Sequence, residues 1–280
     1  MNILILFDGM SCGRIAVERA NITVDKYYRS EVDKYANIIA KKNYPDSIDL
    51  GDVTGVTGAG LGKIDLLMGG SPCQGFSFAG KQLNFDDPRS KLFFEFVRLL
   101  KVIKPKYFLL ENVKMKKEYQ DVISEQLSVE PIEINSSLVS AQNRKRLYWT
   151  NITRVTQPED KGIMLKDIIE CEKRSDYRPV GAWAFKKFGA SGPLKVETLY
   201  NIKCEKSHTL TTSKTHSMNY YLNEDKTLYT NLNADEWELL QTVPRGYTKG
   251  IAEGQRHKML GNGWTVDVIA HILGFIPRTV

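Results

Sequence analysis

The chain of 280 residues predicts an α/β fold. The expected form is a doubly wound, mostly parallel sheet with helices on both faces, accompanied by a small irregular, partly β module. Three observations carry this prediction. Short apolar runs alternate with helical patterns through the first half, and chemically unusual residues stand at the ends of several runs. Past about residue 155 the helical period gives way to sequence rich in Gly, Ser, Thr, Lys and aromatics.

The elements follow in order. "NILILF" (Asn2–Phe7) is a continuous apolar run that breaks at "DGMSCG", after which "GRIAVERA" has helical spacing. "KYYRSEV" forms a second strand closing at Glu31, and "DKYANIIAKKN" a second helix. "IDLLMGG" is another strand. In "RSKLFFEFVRLLKVI", Leu92, Phe93, Phe96, Leu99, Leu100 and Ile103 recur at helical spacing until Pro105 stops the helix. "KYFLLENV" and "RLYWTNI" supply two more strands. Near the C-terminal end, "NADEWELLQ" predicts a helix capped by Asn233 with Glu236 three positions on, and "GWTVDVIAHILGFI" an amphipathic helix. The expected division is a first domain over 1–155, completed by 233–280, and a small module over 156–232.

Composition narrows the class. Hydrophobic content of 42% and charged content of 26% are those of an ordinary soluble globular protein. No apolar stretch approaches the ~20 residues a membrane-spanning helix needs. "MNILILFDG" has no basic n-region and no small-residue cleavage site, so no signal peptide and a cytoplasmic location are expected, beside the nucleoid in a bacterial or phage setting. Cys12, Cys73, Cys171 and Cys204 are far apart, which disfavours a disulfide framework and a zinc site; no metal is expected. The net charge of +6 agrees in sign with a polyanionic partner.

In such sheets ligands bind at the carboxyl ends of the strands. Those ends carry Asp8-Gly9, Glu31, Ser71-Pro72-Cys73 and Glu111-Asn112. "FDGMSCG" opens a helix from the first strand, as a Rossmann glycine turn does, and its glycines let backbone approach a ligand. Glu31, about twenty residues on, is placed for a ribose diol, and "GDVTG" offers Asp52. With no G-x-G-x-x-G, a nucleoside without pyrophosphate fits better than a dinucleotide.

"FDGMSCG", "GGSPCQGFS", "ENV", "QNRKRLYW" and "LGNGWTV" together, from Phe7 to Val266, resemble in type and order the motifs of the cytosine-C5 DNA methyltransferases. "LFDGMSCG", "SEV", "GDV", "RSKLFFEFVRLL" and "GWTV" are most similar to the catalytic domain of the animal de novo (Dnmt3-type) branch, and "PCQGFS" to the common bacterial form. The resemblance implies a Rossmann-like class I methyltransferase fold with a small target-recognition domain. It also implies S-adenosylmethionine as cofactor, S-adenosylhomocysteine as product and double-stranded DNA as partner. Oligomeric state is left open between a monomer and a homo-oligomer like those of the de novo branch.

By the same resemblance Cys73 is the nucleophile that adds to C6 of a flipped cytosine, held in place by Pro72. Glu111 is the acid at N3, Asn112 fixes the loop, and Arg144 and Arg146 meet the backbone and the base's O2 respectively. The loop "CQGFSFAGKQ" is the lid. Phe7, Asp8, Gly9, Ser11, Gly13, Glu31, Val32, Asp52, Val53, Gly70 and Leu92, with Asn262, Gly263 and Trp264, match positions lining the S-adenosylmethionine pocket. Phe7 or Trp264 is expected to stack on the adenine or cover the methionine end, core packing being the other role open to each. The Lys/Arg-rich segments Arg174–Lys187 and Lys195–Lys206 are expected to meet DNA.

Two departures qualify the pattern: "DGMSCG" is less glycine-rich than many bacterial first motifs, and the interval between "QNRKRLYW" and "SHTLTTS" is short for a target-recognition domain. The short interval implies a short recognition sequence or help from a partner. Methylation of tRNA is the alternative within the family, but the Cys-Phe-Thr motif of those relatives is absent. A non-catalytic DNA-binding homologue is disfavoured because Cys73, Glu111, Arg144 and Arg146 are all kept. A cysteine hydrolase ranks last, since His208, His216, His257 and His271 all lie in the second half, away from the strand ends.

Overall fold

A computed structural model describes residues 1–71, 88–169, 178–179, 200–201, 206–212, 220–222 and 228–277, with backbone alone for 88–90, 178–179, 200–201, 220–222 and 228–229. Pro72, Cys73, the expected lid, and all but a few residues of the two Lys/Arg-rich segments lie outside this set. The chain divides into two compact units: Met1–Asn135, Lys145–Pro158 and Val266–Val280 form the first, Ser136–Arg144 and Glu159–Thr265 the second.

The first unit is built on a seven-stranded sheet of β1 (Asn2–Leu6), β2 (Lys26–Ser30), β3 (Ile48–Asp49), β4 (Leu66–Gly70), β5 (Tyr107–Val113), β6 (Ile132–Asn135) and β7 (Lys145–Thr150). Their spatial order is β3-β2-β1-β4-β5-β7-β6. Neighbours from β3 through β5 run parallel, whereas β7 is antiparallel to both β5 and β6. Among the described residues the helices of this unit are α1 (Cys12–Arg19), α2 (Lys34–Asn43), α3 (Pro88–Ile103), α4 (Lys117–Leu127) and, after α5 (Ala234–Leu240) and α6 (Glu253–Asn262) of the second unit, α7 (Val266–Leu273). The predicted doubly wound, mostly parallel α/β class is the one observed.

Local sequence explains most of this. Ile3, Leu4, Ile5 and Leu6 are all buried, as a central parallel strand covered on both faces requires. On α3, Phe93, Phe96 and Leu99 face the core, while Leu92, Leu100 and Ile103 pack at its margin, as their spacing predicts. Gly69 is needed for that packing: a Cβ there would lie 2.9 Å from the Phe96 ring. Trp149 of β7 is fully buried and donates its indole N–H to Ser124 Oγ of α4 at 3.0 Å. α1 packs on α7, and Arg19 meets Asp267 at 2.6 Å.

In the second unit β8 (Arg178–Pro179), β9 (Tyr200–Asn201), β10 (Tyr220–Leu222) and β11 (Leu228–Asn231) form a sheet in the order β8-β11-β10-β9. β10 and β8 pair antiparallel with β11, and β9 pairs parallel with β10. The capping box of α5 forms as read from sequence: Asn233 Oδ1 accepts from Glu236 N at 2.9 Å, and Glu236 Oε2 from Asn233 N at 2.8 Å.

Residues 233–265, expected to complete the first domain, group with the second unit. Buried polar bonds account for it. Ser140 Oγ donates to Leu240 O at 2.6 Å, Gln142 Nε2 to the same oxygen at 3.1 Å, and Gln241 Nε2 to Leu260 O at 2.6 Å. These tie α5 and α6 to the 136–144 segment, and only Val266 onward returns to the first unit. Among the described residues no helix is long and apolar enough to cross a membrane.

Candidate active site

Two clusters occupy the carboxyl ends of the strands in the first unit. The first begins where β1 stops. Phe7 (φ 58°), Gly9 (φ 59°) and Ser11 (φ 67°) adopt left-handed backbone within five residues. Glycine does so freely, but a residue with a Cβ pays roughly 1–2 kcal/mol. Asp8 holds the turn. Its buried carboxylate accepts from Ser11 Oγ at 2.5 Å and from Tyr27 Oη at 3.0 Å, and Arg29 Nη1 stands 3.9 Å away. Burial pushes the Asp8 carboxyl up to about 7, against the opposing pull of Ser11, Arg29 and Tyr27.

Glu31 follows β2 directly and fastens this turn to the next. Its Oε2 accepts from Gly9 N at 2.7 Å, and its Oε1 from Val32 N and Asp33 N at 2.8 Å each. A carboxylate has about four acceptor sites, so capacity for a further donor remains. Val32 is 73% exposed, an apolar surface beside that carboxylate. Asp52 is exposed and caps the short turn Val53–Gly55, accepting from Thr54 N at 2.9 Å, while Val53 is buried. Around Gly9 a Cβ would meet nothing within 4 Å. An open backbone, an acceptor with spare capacity and an exposed apolar side chain suit the nucleoside expected from sequence.

The remaining predicted positions divide by what they touch. Phe7 is half-buried against the hydrophobic core, Gly70 ends β4, and Leu92 packs at the core margin. Gly13 has a packing reason of its own: a Cβ there would collide with the Ile5 side chain, so glycine lets α1 approach β1.

The second cluster joins β4, β5 and β7. Asn112 is buried; its Nδ2 donates to Ser71 Oγ at 3.0 Å and its Oδ1 accepts from Val113 N at 2.8 Å. Ser71 immediately precedes Pro72-Cys73 in sequence. Glu111 Oε1 lies 3.1 Å from Arg146 Nε, both side chains being largely buried. Register produces this pair. Val113 stands opposite Arg146 across the β5/β7 ladder, so Glu111 is its diagonal neighbour on the same face.

Arg144 and the last predicted positions belong to the second unit. The Arg144 guanidinium is buried, donating through Nη1 to Leu210 O at 3.0 Å and through Nη2 to Gly261 O at 3.1 Å and Gly263 O at 3.0 Å. By resemblance Arg144 is paired with Arg146 and expected to meet the backbone; here its guanidinium gathers three protein backbone carbonyls. Asn262 ends α6, Gly263 caps it, and Trp264 is buried. Gln142, Gln241 and Thr265 complete this polar core, with Thr265 Oγ1 to Gln241 Oε1 at 2.8 Å.

The sequence gives no role to Tyr27 and Arg29 in the first unit or to Gln142 and Gln241 in the second, whereas Ser71 is already marked by its place at a strand end. A signal existed for Arg29: a charged residue inside a strand that should be apolar.

The chain is similar to known proteins in sequence and in fold. The family model described as C-5 cytosine-specific DNA methylase matches residues 1–176 and 115–278. A type II methyltransferase of Neisseria gonorrhoeae, M.NgoBV, is 35% identical over 215 residues, covering 66% of this chain and 50% of that protein. The chain thus spans about half the length of the first curated relatives it matches. The type II methyltransferase M1.ScrFI of Lactococcus lactis subsp. cremoris is 29% identical over 301 residues, 94% of this chain and 75% of that one. In fold, the chain is similar to the Entamoeba histolytica methyltransferase EhMeth, with a TM-score of 0.78 at 19% identity over 98% of this chain and 97% of that one.

Proposed function

The chain belongs to the C-5 cytosine-specific DNA methylase family, and from that premise we propose that it methylates C5 of a flipped cytosine in double-stranded DNA. The observation that carries the proposal is the pairing of Glu111 with Arg146 beside an Asn112–Ser71 bond that leads into Pro72-Cys73. An acid and a multidentate donor side by side suit the N3 and O2 edge of a pyrimidine.

Cytosine C5 is a poor nucleophile until a group adds to C6. The Cys73 thiolate forms the S–C6 bond, and the displaced electron pair moves to N3, where the Glu111 carboxyl delivers a proton. Arg146 keeps its charge throughout and donates to O2, drawing electron density in the same direction. Asn112 holds the strand end from which the Cys73 loop departs. After C5 carries its methyl group, N3 returns its proton to the Glu111 carboxylate, the C5 proton passes to solvent water, and its bonding pair forms the C5–C6 double bond as the thiolate leaves, which restores base and enzyme.

S-Adenosylmethionine, when bound, supplies an electrophilic methyl group. The residues proposed to hold it are the Phe7–Ser11 turn, Glu31, Val32, Asp52, Val53, Gly70 and Leu92. Support comes from the open space at Gly9, the exposed Val32 and the spare acceptor capacity of Glu31. Asp8 and Gly13 serve this pocket by shaping it.

A 5-fluorocytosine duplex incubated with enzyme and S-adenosylmethionine tests the reading, because fluorine cannot leave as the C5 proton does. A denaturation-resistant protein–DNA adduct is expected from the natural chain and none from Cys73→Ala. No adduct from the natural chain overturns the proposal. Tritiated methyl appearing in tRNA and never in DNA would replace the substrate.

A further inference from the structure

β2 carries an arginine at a position where a strand covered on both faces is ordinarily apolar. Arg29 is 0% exposed, and burying a guanidinium is costly unless its charge is matched. Its Nη2 donates to Asn37 Oδ1 of α2 at 2.7 Å and to Asp49 Oδ2 of β3 at 3.0 Å, while Nη1 lies 3.9 Å from Asp8 Oδ2. Neither Nε nor Nη1 has a hydrogen-bond partner among the described residues. The charge is therefore only partly compensated, and an aliphatic side chain would fill the core without that cost.

What the guanidinium touches gives it a role. Asp8 stands within the left-handed Phe7–Ser11 turn, which it holds through Ser11 and Tyr27. Asp49 uses its other oxygen to accept from Gly51 N at 3.0 Å; Leu50 N donates to Arg29 O at 2.8 Å, and Ser30 Oγ to Gly51 O at 2.6 Å. These bonds shape the Asp49–Asp52 turn. Register makes the bridge possible, since Arg29 is aligned with Ile5 of β1 on one side and Asp49 of β3 on the other. One cation thus stands between two carboxylates, each bracing one turn.

We propose that Arg29 is a positioning residue for the nucleoside half of the methyl donor, coupling the Phe7–Ser11 turn to the Asp49–Asp52 turn. The inference rests on the assignment of S-adenosylmethionine to these turns. Arg29 is buried beneath the turns, so it acts through Asp8 and Asp49. The groups facing Asp8 are Arg29 and Tyr27 from β2, Ser11 from its own turn, and the Glu31 carboxylate beyond β2. Removing Arg29 leaves the repulsion of Glu31 in place, so Asp8 takes up its proton at higher pH.

The test measures S-adenosylmethionine binding at equilibrium, and steady-state methylation, for the full natural chain, Arg29→Met, Arg29→Lys and Asp49→Asn. Arg29→Met is expected to weaken cofactor binding roughly tenfold, the loss of one charge-assisted hydrogen bond. Its KM for cofactor rises in parallel, with kcat at saturating cofactor and KM for DNA unchanged. Arg29→Lys recovers part of the loss. The pH midpoint of cofactor affinity moves upward in Arg29→Met. Asp49→Asn, at an exposed strand end, shows a smaller loss in the same direction and carries the test should Arg29→Met fail to fold. Natural affinity in both Arg29→Met and Asp49→Asn, or equal losses toward cofactor and DNA, overturns the inference alone. A natural chain that binds no S-adenosylmethionine overturns the functional reading and this inference with it, so the two failures are told apart by the natural chain's own binding constant.

Discussion

Asp8 is a carboxyl buried inside a strained turn, and its ionisation is expected to be visible in stability. Its folded-state value of about 7 exceeds the ordinary 3.8, so the folded chain holds this proton more tightly than the unfolded chain does. The stability it contributes is full below 3.8 and is lost as pH rises through about 7. Asp8→Asn should therefore flatten the stability–pH curve across that interval, as read by urea unfolding at a series of pH values; an unaltered slope would contradict the assignment. At Glu111 the expectation is kinetic. Glu111→Gln removes both the acid and the ion pair with Arg146, and should slow methyl transfer by about 10²–10⁴-fold, the range for loss of a positioned acid or base. Single-turnover rates with labelled methyl donor check this. The identity of Glu111 was legible in sequence from its place in "ENV" at a strand end. Its partner's orientation was not, because it depends on how β7 pairs with β5.

Among the elements, α6 is held close to backbone at one residue. A Cβ on Gly261 would lie 2.6 Å from the carbonyl carbon of Thr211, and backbone cannot swing aside as a side chain does. Gly261→Ala should cost about 1–3 kcal/mol, the range for overpacking, despite alanine's better helix propensity; chemical denaturation reads this directly. Asn233→Ala removes the cap of α5 and should cost about 1 kcal/mol by the same measurement. The α5 cap and the apolar face of α3 could be read from sequence because both are written within a few turns of helix. β3 and β6 could not. The first has two residues and the second only four at a sheet edge, too short for alternation to register. α4 (KEYQDVISEQL) and α6 (EGQRHKMLGN) are so polar that their apolar stripe is thin, and both went unpredicted.

For the whole molecule the expectation concerns charge. A net +6, with basic residues concentrated in Arg174–Lys187 and Lys195–Lys206, predicts DNA affinity that falls steeply as salt rises. Binding isotherms on a short duplex at several salt concentrations test this; a flat response would assign those charges to solubility. The sequence by itself determined the fold class and the chemical character of the strand ends, because strand and helix periods and short motifs are local properties of the chain. Tertiary structure alone decided that Glu111 faces Arg146, that Arg144 gathers the carbonyls of Leu210, Gly261 and Gly263, and that Arg29 lies between Asp8 and Asp49. Each of those contacts depends on register or packing between segments far apart in sequence, which long-range closure sets and no local pattern records.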